Sequence, residues 1–591
     1  MRLVNLVLVL FFLTPIMSCS TVQKSTPAAK EEKVVLYQMM VRLFGNENQT
    51  NKFYGSKEEN GVGKFNDITS KALVELKDLG ITHVWYTGVI EHATMTDYSS
   101  FNIKSDDPDV VKGRAGSPYA INDYYDVDPD LAVDVEKRIE EFEALVQRTH
   151  QEGLKVIIDF VPNHVARTYH SDKKPSHIRD FGEDDDTTVA FNVKNDFYYI
   201  PETSFVVPKR GEMDNFEGDQ RDGLFEEVPA KATGNNVFTE APSDNDWYET
   251  IKLNYGVDYQ NNEKTHFDPI PPVWEKMRDI LLYWTEKGVD GFRCDMAEMV
   301  PVEFWNWVIP QVKAVNPELL FIAEAYNPDV YEKYLTVGKF DYLYDKVGLY
   351  DALKPLIKNE DEANVSRVRS SLEKTQAYQE RFLSFLENHD EERIAAEGFA
   401  GDPLLALPGM VVSATISGGP IMIYFGQEVG EPGKGTEGYG GEDGRSTIFD
   451  YWGVPEHQKW MNGGEFDGGA LSAEQKDLRS FYKDLLNFVK DEPAIVKGSF
   501  TELTITSDSN EKVYAYLRSF EKEHILVIAN FNRDEPLNLK VELPSALVAD
   551  KDTPVDIERI LEGGFFKVNS IHEGISLQVE PSSAQVLKFE L

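Results

Sequence analysis

The chain has 591 residues, enough for a large core and more than one domain, and at 41% hydrophobic and 12% aromatic it is globular and not disordered. Its 60 basic and 101 acidic residues leave a formal charge of −41. That balance excludes nucleic acid, and any anionic surface gripped through basic patches, as a partner; a neutral substrate meets no such repulsion.

The N-terminus reads MRLVNLVLVLFFLTPIMSCS, one arginine followed by an apolar run from Leu3 to Phe12 and then small residues. The run is too short for a stable spanning helix and has the form of a secretory signal peptide over residues 1–18. Ile16-Met17-Ser18-Cys19 further resembles a bacterial lipobox, which implies lipidation of Cys19 as the first mature residue. The alternative is an ordinary signal with an incidental cysteine. Without Cys19 only Cys294 remains, so no internal disulfide is expected. Residues 20–33 are polar and aperiodic, as a tether should be. Ser20 and the absence of an acidic run directly after it favour an outer-membrane anchor on the periplasmic face over the cell surface.

From residue 34 short apolar runs alternate with helical patterns, the sequence form of βα units around a parallel sheet. In chain order the expected strands cover 34–42, 81–88, 155–161, 289–295, 319–325, 340–345, 381–387 and 420–426. Eight strands with helices between them predict a (β/α)8 TIM barrel. A helix is expected over 135–153, ending on Gly153, where a left-handed cap forms readily.

One connection, residues 165–270, is far too long for a simple loop and predicts an inserted domain after the third strand. Its acidic run Glu183–Asp186 reads as a solvated face and its aromatic cluster at 196–200 as a local core, with sugar stacking the alternative. The barrel therefore divides into 34–164 and 271–490. Residues 491–591 change to alternating strands without long helices and predict a C-terminal antiparallel β-sandwich.

The fourth expected strand, VDGFRCD, puts Arg293 and Asp295 on one face and Cys294 on the other. The cysteine reads as packing, and the charge pair as either a structural ion pair or an activated carboxylate. Barrel catalysis sits at the C-terminal ends of strands. Asp295 ends the fourth strand, Glu324 the fifth, and Asp390 follows the seventh; Asn163-His164 after the third strand, in which Asp159 lies, and His389 before Asp390 join them. Each alone reads as a cap or a mouth ion pair. Cleaving a glycosidic bond with retention, however, needs two carboxyl groups about 5 to 5.5 Å apart. Adjacent strands lie about 4.8 Å apart, so Asp295 and Glu324 are suitably spaced. Arg293 favours an ionised Asp295, a nucleophile, while the apolar surroundings of LLFIAEAY favour a protonated Glu324, the acid/base.

DFVPNH (159–164), GFRCD (291–295), AEA (323–325) and FLENHD (385–390) resemble, in order and spacing, the four sequence regions of the α-amylase superfamily, glycoside hydrolase family 13. The resemblance runs from about residue 34 to the end. It implies Asp295 as nucleophile, Glu324 as acid/base and Asp390 as the third catalytic acid, which holds sugar hydroxyls and stabilises the transition state. It further implies that Arg293 orients the nucleophile, that His164 and His389 bind hydroxyls, and that Tyr119 stacks on the sugar, with Asp123 a weaker candidate for substrate binding. KLNYGVDY (252–259) resembles the motif closing the inserted domain. Asn163 matches the family's calcium-binding asparagine, whose ion also takes a backbone carbonyl near Met299; no organic cofactor is implied.

Three departures stand out. Glu298-Met299 replaces a common Lys-His after the nucleophile, Lys64 stands where a second calcium loop has an aspartate, and Pro162 is commoner among members acting on oligosaccharides. The implied activity is a retaining α-glucan hydrolase acting on α-1,4 bonds of maltooligosaccharides or starch-type glucans. The alternatives are a neopullulanase, an oligo-α-glucosidase or a glucan transglycosylase of the same family. A non-catalytic carbohydrate-binding relative should have lost a catalytic acid, and all three are present.

Overall fold

The computed structural model describes residues 32–209, 219–435, 441–506, 511–549 and 554–591. The signal peptide, most of the tether and Cys19 lie outside the described residues. Among those described, no helix is long and apolar enough to cross a membrane.

Eight parallel strands form the core: β1 Val35–Met40, β2 His83–Thr87, β3 Lys155–Phe160, β4 Gly291–Cys294, β5 Leu320–Ala323, β6 Tyr342–Tyr344, β7 Phe382–Leu383 and β8 Ile421–Tyr424. They are hydrogen-bonded in sequence order, and β1 also pairs with β8, Val35 opposite Ile421. Between β7 and β8 the ring closes through a single bridge, Ser384 to Ile421. The seventh strand is shorter than its sequence suggests, because past the bridge at Ser384 the chain bends at Leu386 into the loop that carries His389 and Asp390. Strands covered on both sides read as continuous apolar runs, which is why these segments alternate so little in the sequence.

Helices wrap the barrel by burying one stripe. The helix Arg138–Gln151 begins after a short turn at Val135–Lys137, buries Phe142, Leu145 and Val146, and gives way at Gly153, which adopts φ +78°. Phe292 of β4 sits between Phe160 and Phe321, while Cys294, on the same face, is fully buried in the apolar core.

The inserted region holds three short ribbons: His164–Ala166 with Thr250–Lys252, Tyr199–Ile200 with Ala230–Lys231, and Val257–Asp258 with Lys264–Thr265. Phe197, Tyr198 and Tyr199 are buried as a local core. The acidic run is only partly a solvated face: Asp185 turns inward and accepts from Asp196 N, Phe197 N and the Tyr199 hydroxyl.

The C-terminal region is antiparallel, a six-stranded sheet facing a three-stranded one across Leu526, Ile528, Val541 and Leu587. Its outer aromatic face, including Tyr514 and Tyr516, joins the barrel core. Buried Arg518 fixes the junction by donating to the carbonyls of Ile416 (3.1 Å) and Ile495 (2.7 Å).

Candidate active site

The site grows from the register of three neighbouring strands. Arg293 lies opposite Asp159 of β3 and Ile322 of β5. The ladder continues one rung past the strand ends, with Asp295 N donating to Phe160 O (2.9 Å) and Glu324 N to Cys294 O (3.1 Å). Asp295 and Glu324 therefore emerge side by side at the barrel mouth.

Arg293 has no exposed surface. Its Nη1 donates to Asp295 Oδ1 (3.0 Å) and Asp159 Oδ1 (3.4 Å), and its Nε to the Tyr344 hydroxyl (3.1 Å). Its Nη2 lies 2.9 Å from Glu324 Oε2, a charge contact whose angle falls short of a hydrogen bond. The rings of Trp85, Tyr119 and Tyr344 surround the guanidinium at 5.2 to 5.4 Å. So caged, the arginine cannot swing away, and it fixes two carboxylates at once.

The surroundings of the two acids differ from those the sequence suggests. Glu324 is not in an apolar pocket: besides Arg293 it accepts from the Tyr326 hydroxyl (2.6 Å) and from Met296 N (2.8 Å). Met296 holds a left-handed conformation, φ +42°, that turns this N–H toward the acid. Asp295, in contrast, is pushed well above the ordinary carboxylate range by burial and then by the charge of Glu324, and Arg293 only partly offsets them. Both acids are thus held against one guanidinium. Asp295 Oδ2 makes no hydrogen bond among the described residues.

Asp390 completes the mouth. The Asn388 side chain accepts from Asp390 N and Glu391 N, shaping the turn, and Asp390 Oδ2 lies 3.1 Å from His389 Nε2. Gln38 donates to His389 Nδ1 (2.8 Å), which places the ring proton on Nε2, facing Asp390 and the Tyr119 hydroxyl (2.5 Å). Burial holds His389 well below its ordinary pKa and lowers His164 to about 3, so both act as neutral imidazoles.

Tyr119, His164, Asp295, Glu324 and Asp390 line one cavity of about 280 Å³. The inserted region supplies another wall: Trp247, whose ring is 5.3 Å from that of His164, and Glu249, which pairs with Lys112 at 3.0 Å. Asp123 does not reach the cavity. It is fully buried, accepts from Tyr125 N, Ser171 Oγ and Lys173 N, and sits in a carboxylate trio with Glu91 and Asp126. It is a loop clamp, because the Asp-turn that precedes Tyr125 points its side chain inward.

Tyr326, Trp247 and the Lys112–Glu249 pair escaped the sequence reading. Asp159 was placed within the third strand, but only the register opposite Arg293 shows its partner. Tyr326 lies two residues beyond Glu324, a spacing that was available as a signal. Nothing in the sequence places Trp247 beside His164.

The oxygens that the resemblance assigns to calcium at Asn163 have another partner. Its Oδ1 accepts from Lys252 Nζ, which also donates to Met299 O at 3.2 Å. The two oxygens expected on the ion are thus taken by one ammonium, and among the described residues no carboxylate pairs with it, whereas calcium takes six to eight oxygens. Burial draws the Lys252 pKa down to about 7, so the ammonium dominates below neutrality. Lys64 Nζ donates to Asp130 O.

Two acids at adjacent strand ends, a third across the mouth, and neutral hydrogen-bonding side chains between them define a carbohydrate-active barrel enzyme. Residues 49–449 match the family described as the α-amylase catalytic domain, and residues 503–557 the maltogenic amylase C-terminal domain. The chain belongs to the α-amylase family. It is 23% identical over 525 residues to alpha-amylase 3 of Dictyoglomus thermophilum, covering 85% of this chain and 86% of that one. Against neopullulanase 2 of Thermoactinomyces vulgaris the identity is 23%, over 80% of this chain and 63% of the relative. Cyclomaltodextrin glucanotransferase of Geobacillus stearothermophilus is 22% identical, over 91% and 64%. In structure, a maltogenic α-amylase from Thermotoga neapolitana superposes with a TM-score of 0.60 at 19% identity, covering 94% of this chain and 99% of that one. The likeness supports the fold.

Proposed function

We propose that the protein is a retaining α-glucan hydrolase that cleaves α-1,4-glucosidic bonds of maltooligosaccharides or starch-type glucans. The observation that carries this is the convergence of Asp295, Glu324 and Asp390 on one cavity, with Arg293 bound to the first two. Asp295 Oδ2 attacks the anomeric carbon as Glu324 gives its proton to the glycosidic oxygen, so the leaving sugar departs with its hydroxyl restored. The glycosyl ester on Asp295 is then opened by water, whose proton returns to Glu324. Asp390 and His389, joined at 3.1 Å, hold ring hydroxyls of the flattened sugar, and His164 closes the same subsite.

The relatives' names support the class of substrate and leave the linkage to experiment. The decisive one is product analysis of the protein lacking residues 1–19 with maltoheptaose and with pullulan. Short maltooligosaccharides with retained anomeric configuration and intact pullulan are expected. Panose or maltotriose from pullulan would instead make it a neopullulanase- or pullulanase-like enzyme, and products longer than maltoheptaose a transglycosylase. No products would overturn hydrolysis of these glucans.

We further propose export and a lipid anchor at Cys19, on the periplasmic face of the outer membrane, from the lipobox-like segment and Ser20. Metabolic labelling with an alkyne fatty acid should mark the wild-type chain and leave Cys19→Ala unmarked. Protection from protease in intact cells tests the face.

A further inference from the structure

Three separate parts of the chain meet at Lys252: the loop after β3 that carries Asn163 and His164, the ribbon strand Thr250–Lys252, and the turn Ala297–Met299 after β4. The Lys252 side chain is buried, with the Tyr259 ring 5.5 Å from its Nζ. An ammonium has three N–H donors and no acceptor, so it suits a site made of amide and carbonyl oxygens. A divalent cation there would have no acid to balance it.

The consequence runs to the cavity. Because Lys252 claims Asn163 Oδ1, the amide is fixed with Nδ2 outward, where it lies 2.9 Å from Gly234 O and 3.1 Å from His164 Nδ1. An amide N–H facing Nδ1 makes that nitrogen the acceptor, so the neutral ring carries its proton on Nε2. We propose that Lys252 is a built-in cation in place of calcium, and that it is a positioning residue: through Asn163 it sets the tautomer that His164 presents to the substrate. The replacement of calcium stands apart from the hydrolytic reading, whereas the role through His164 rests on that reading's placing His164 at the substrate.

Melting of the whole protein tests it without any assay of activity. In wild type, the melting temperature in millimolar EDTA and in millimolar calcium chloride should agree within about 1 °C, since a ligand that does not bind the fold cannot stabilise it. A rise of several degrees with calcium, reversed by EDTA, would overturn the proposal. Lys252→Met keeps length without charge and should melt lower in both buffers; a melting temperature equal to wild type would also overturn it. The positioning role is read by nitrogen NMR of histidine-labelled protein, with His164→Gln assigning the signal. Wild type should show His164 protonated on Nε2, and a wild-type ring protonated on Nδ1 would refute the role even if Lys252→Met fails to fold.

Discussion

Arg293 Nη2 stands 2.9 Å from Glu324 Oε2 while its Nη1 stands 3.0 Å from Asp295 Oδ1, so one guanidinium holds the nucleophile and the acid in a single frame. Burial, and after it the charge of Glu324, raises Asp295 well above the ordinary carboxylate range. The nucleophile must be ionised to attack, so kcat/KM should fall as pH drops through this raised value. Asp159, itself raised to about 6, adds to the effect once it is charged. Asp159→Asn should therefore move the acidic limb of the pH profile to lower pH. An unmoved limb would separate Asp159 from the ionisation of the pair.

Asp295→Asn removes the attacking oxygen's charge with little change of volume. Turnover should fall roughly 10⁴-fold or more, with the melting temperature close to wild type. Substantial residual turnover of the purified variant would reassign the nucleophile.

Tyr326 donates to Glu324 Oε1 at 2.6 Å and acts by positioning the acid. A hydrogen bond to a charged group contributes about 1.5 to 3 kcal/mol, so Tyr326→Phe should lower kcat about 10- to 100-fold. KM should change little, and the profile's limbs should shift because the acid has lost a partner. A loss confined to KM would place Tyr326 on the substrate instead.

Trp247 forms the wall opposite the strand ends, beside His164. If it carries a sugar ring, Trp247→Ala should raise KM for maltoheptaose about 10-fold, the scale of about 1.5 kcal/mol of aromatic contact, with kcat nearly kept. Unchanged KM would make it a prop for His164 alone.

Cys294 is fully buried, and burial pushes its thiol well above the ordinary range. Cys294→Ser should cost about 1 to 3 kcal/mol of stability by burying a hydroxyl among apolar groups. The activity of the folded fraction should stay within a few fold. A collapse of turnover at unchanged melting would give the sulfur a chemical role.

Much of this was legible in the sequence because strand-end position and side-chain alternation are local properties. The eight strands, the opposing faces of Arg293 and Cys294, and the gathering of Asp295, Glu324 and Asp390 all follow from them. What was not legible depends on contacts between distant segments. The environment of Glu324 looked apolar because its sequence neighbours are, whereas its real partners are Arg293, 31 residues away, and the backbone of Met296. Asp123 looked like a cleft residue because it is near Tyr119 in sequence, yet its loop is clamped inward by Ser171 and Lys173. Lys252 sits in a short motif that resembles the close of the inserted domain, but only the fold brings its ammonium to Asn163.

The pairing of Val35 with Ile421 has a kinetic meaning. Strand β1 is synthesised early, and its second neighbour arrives only 386 positions later, so until then one edge of β1 offers unpaired backbone groups. Such an edge is a template for wrong partners. A nascent chain interrupted before β8 is consequently a half-open sheet prone to association, and any cell that makes this protein must keep it from settling until the last strand is available.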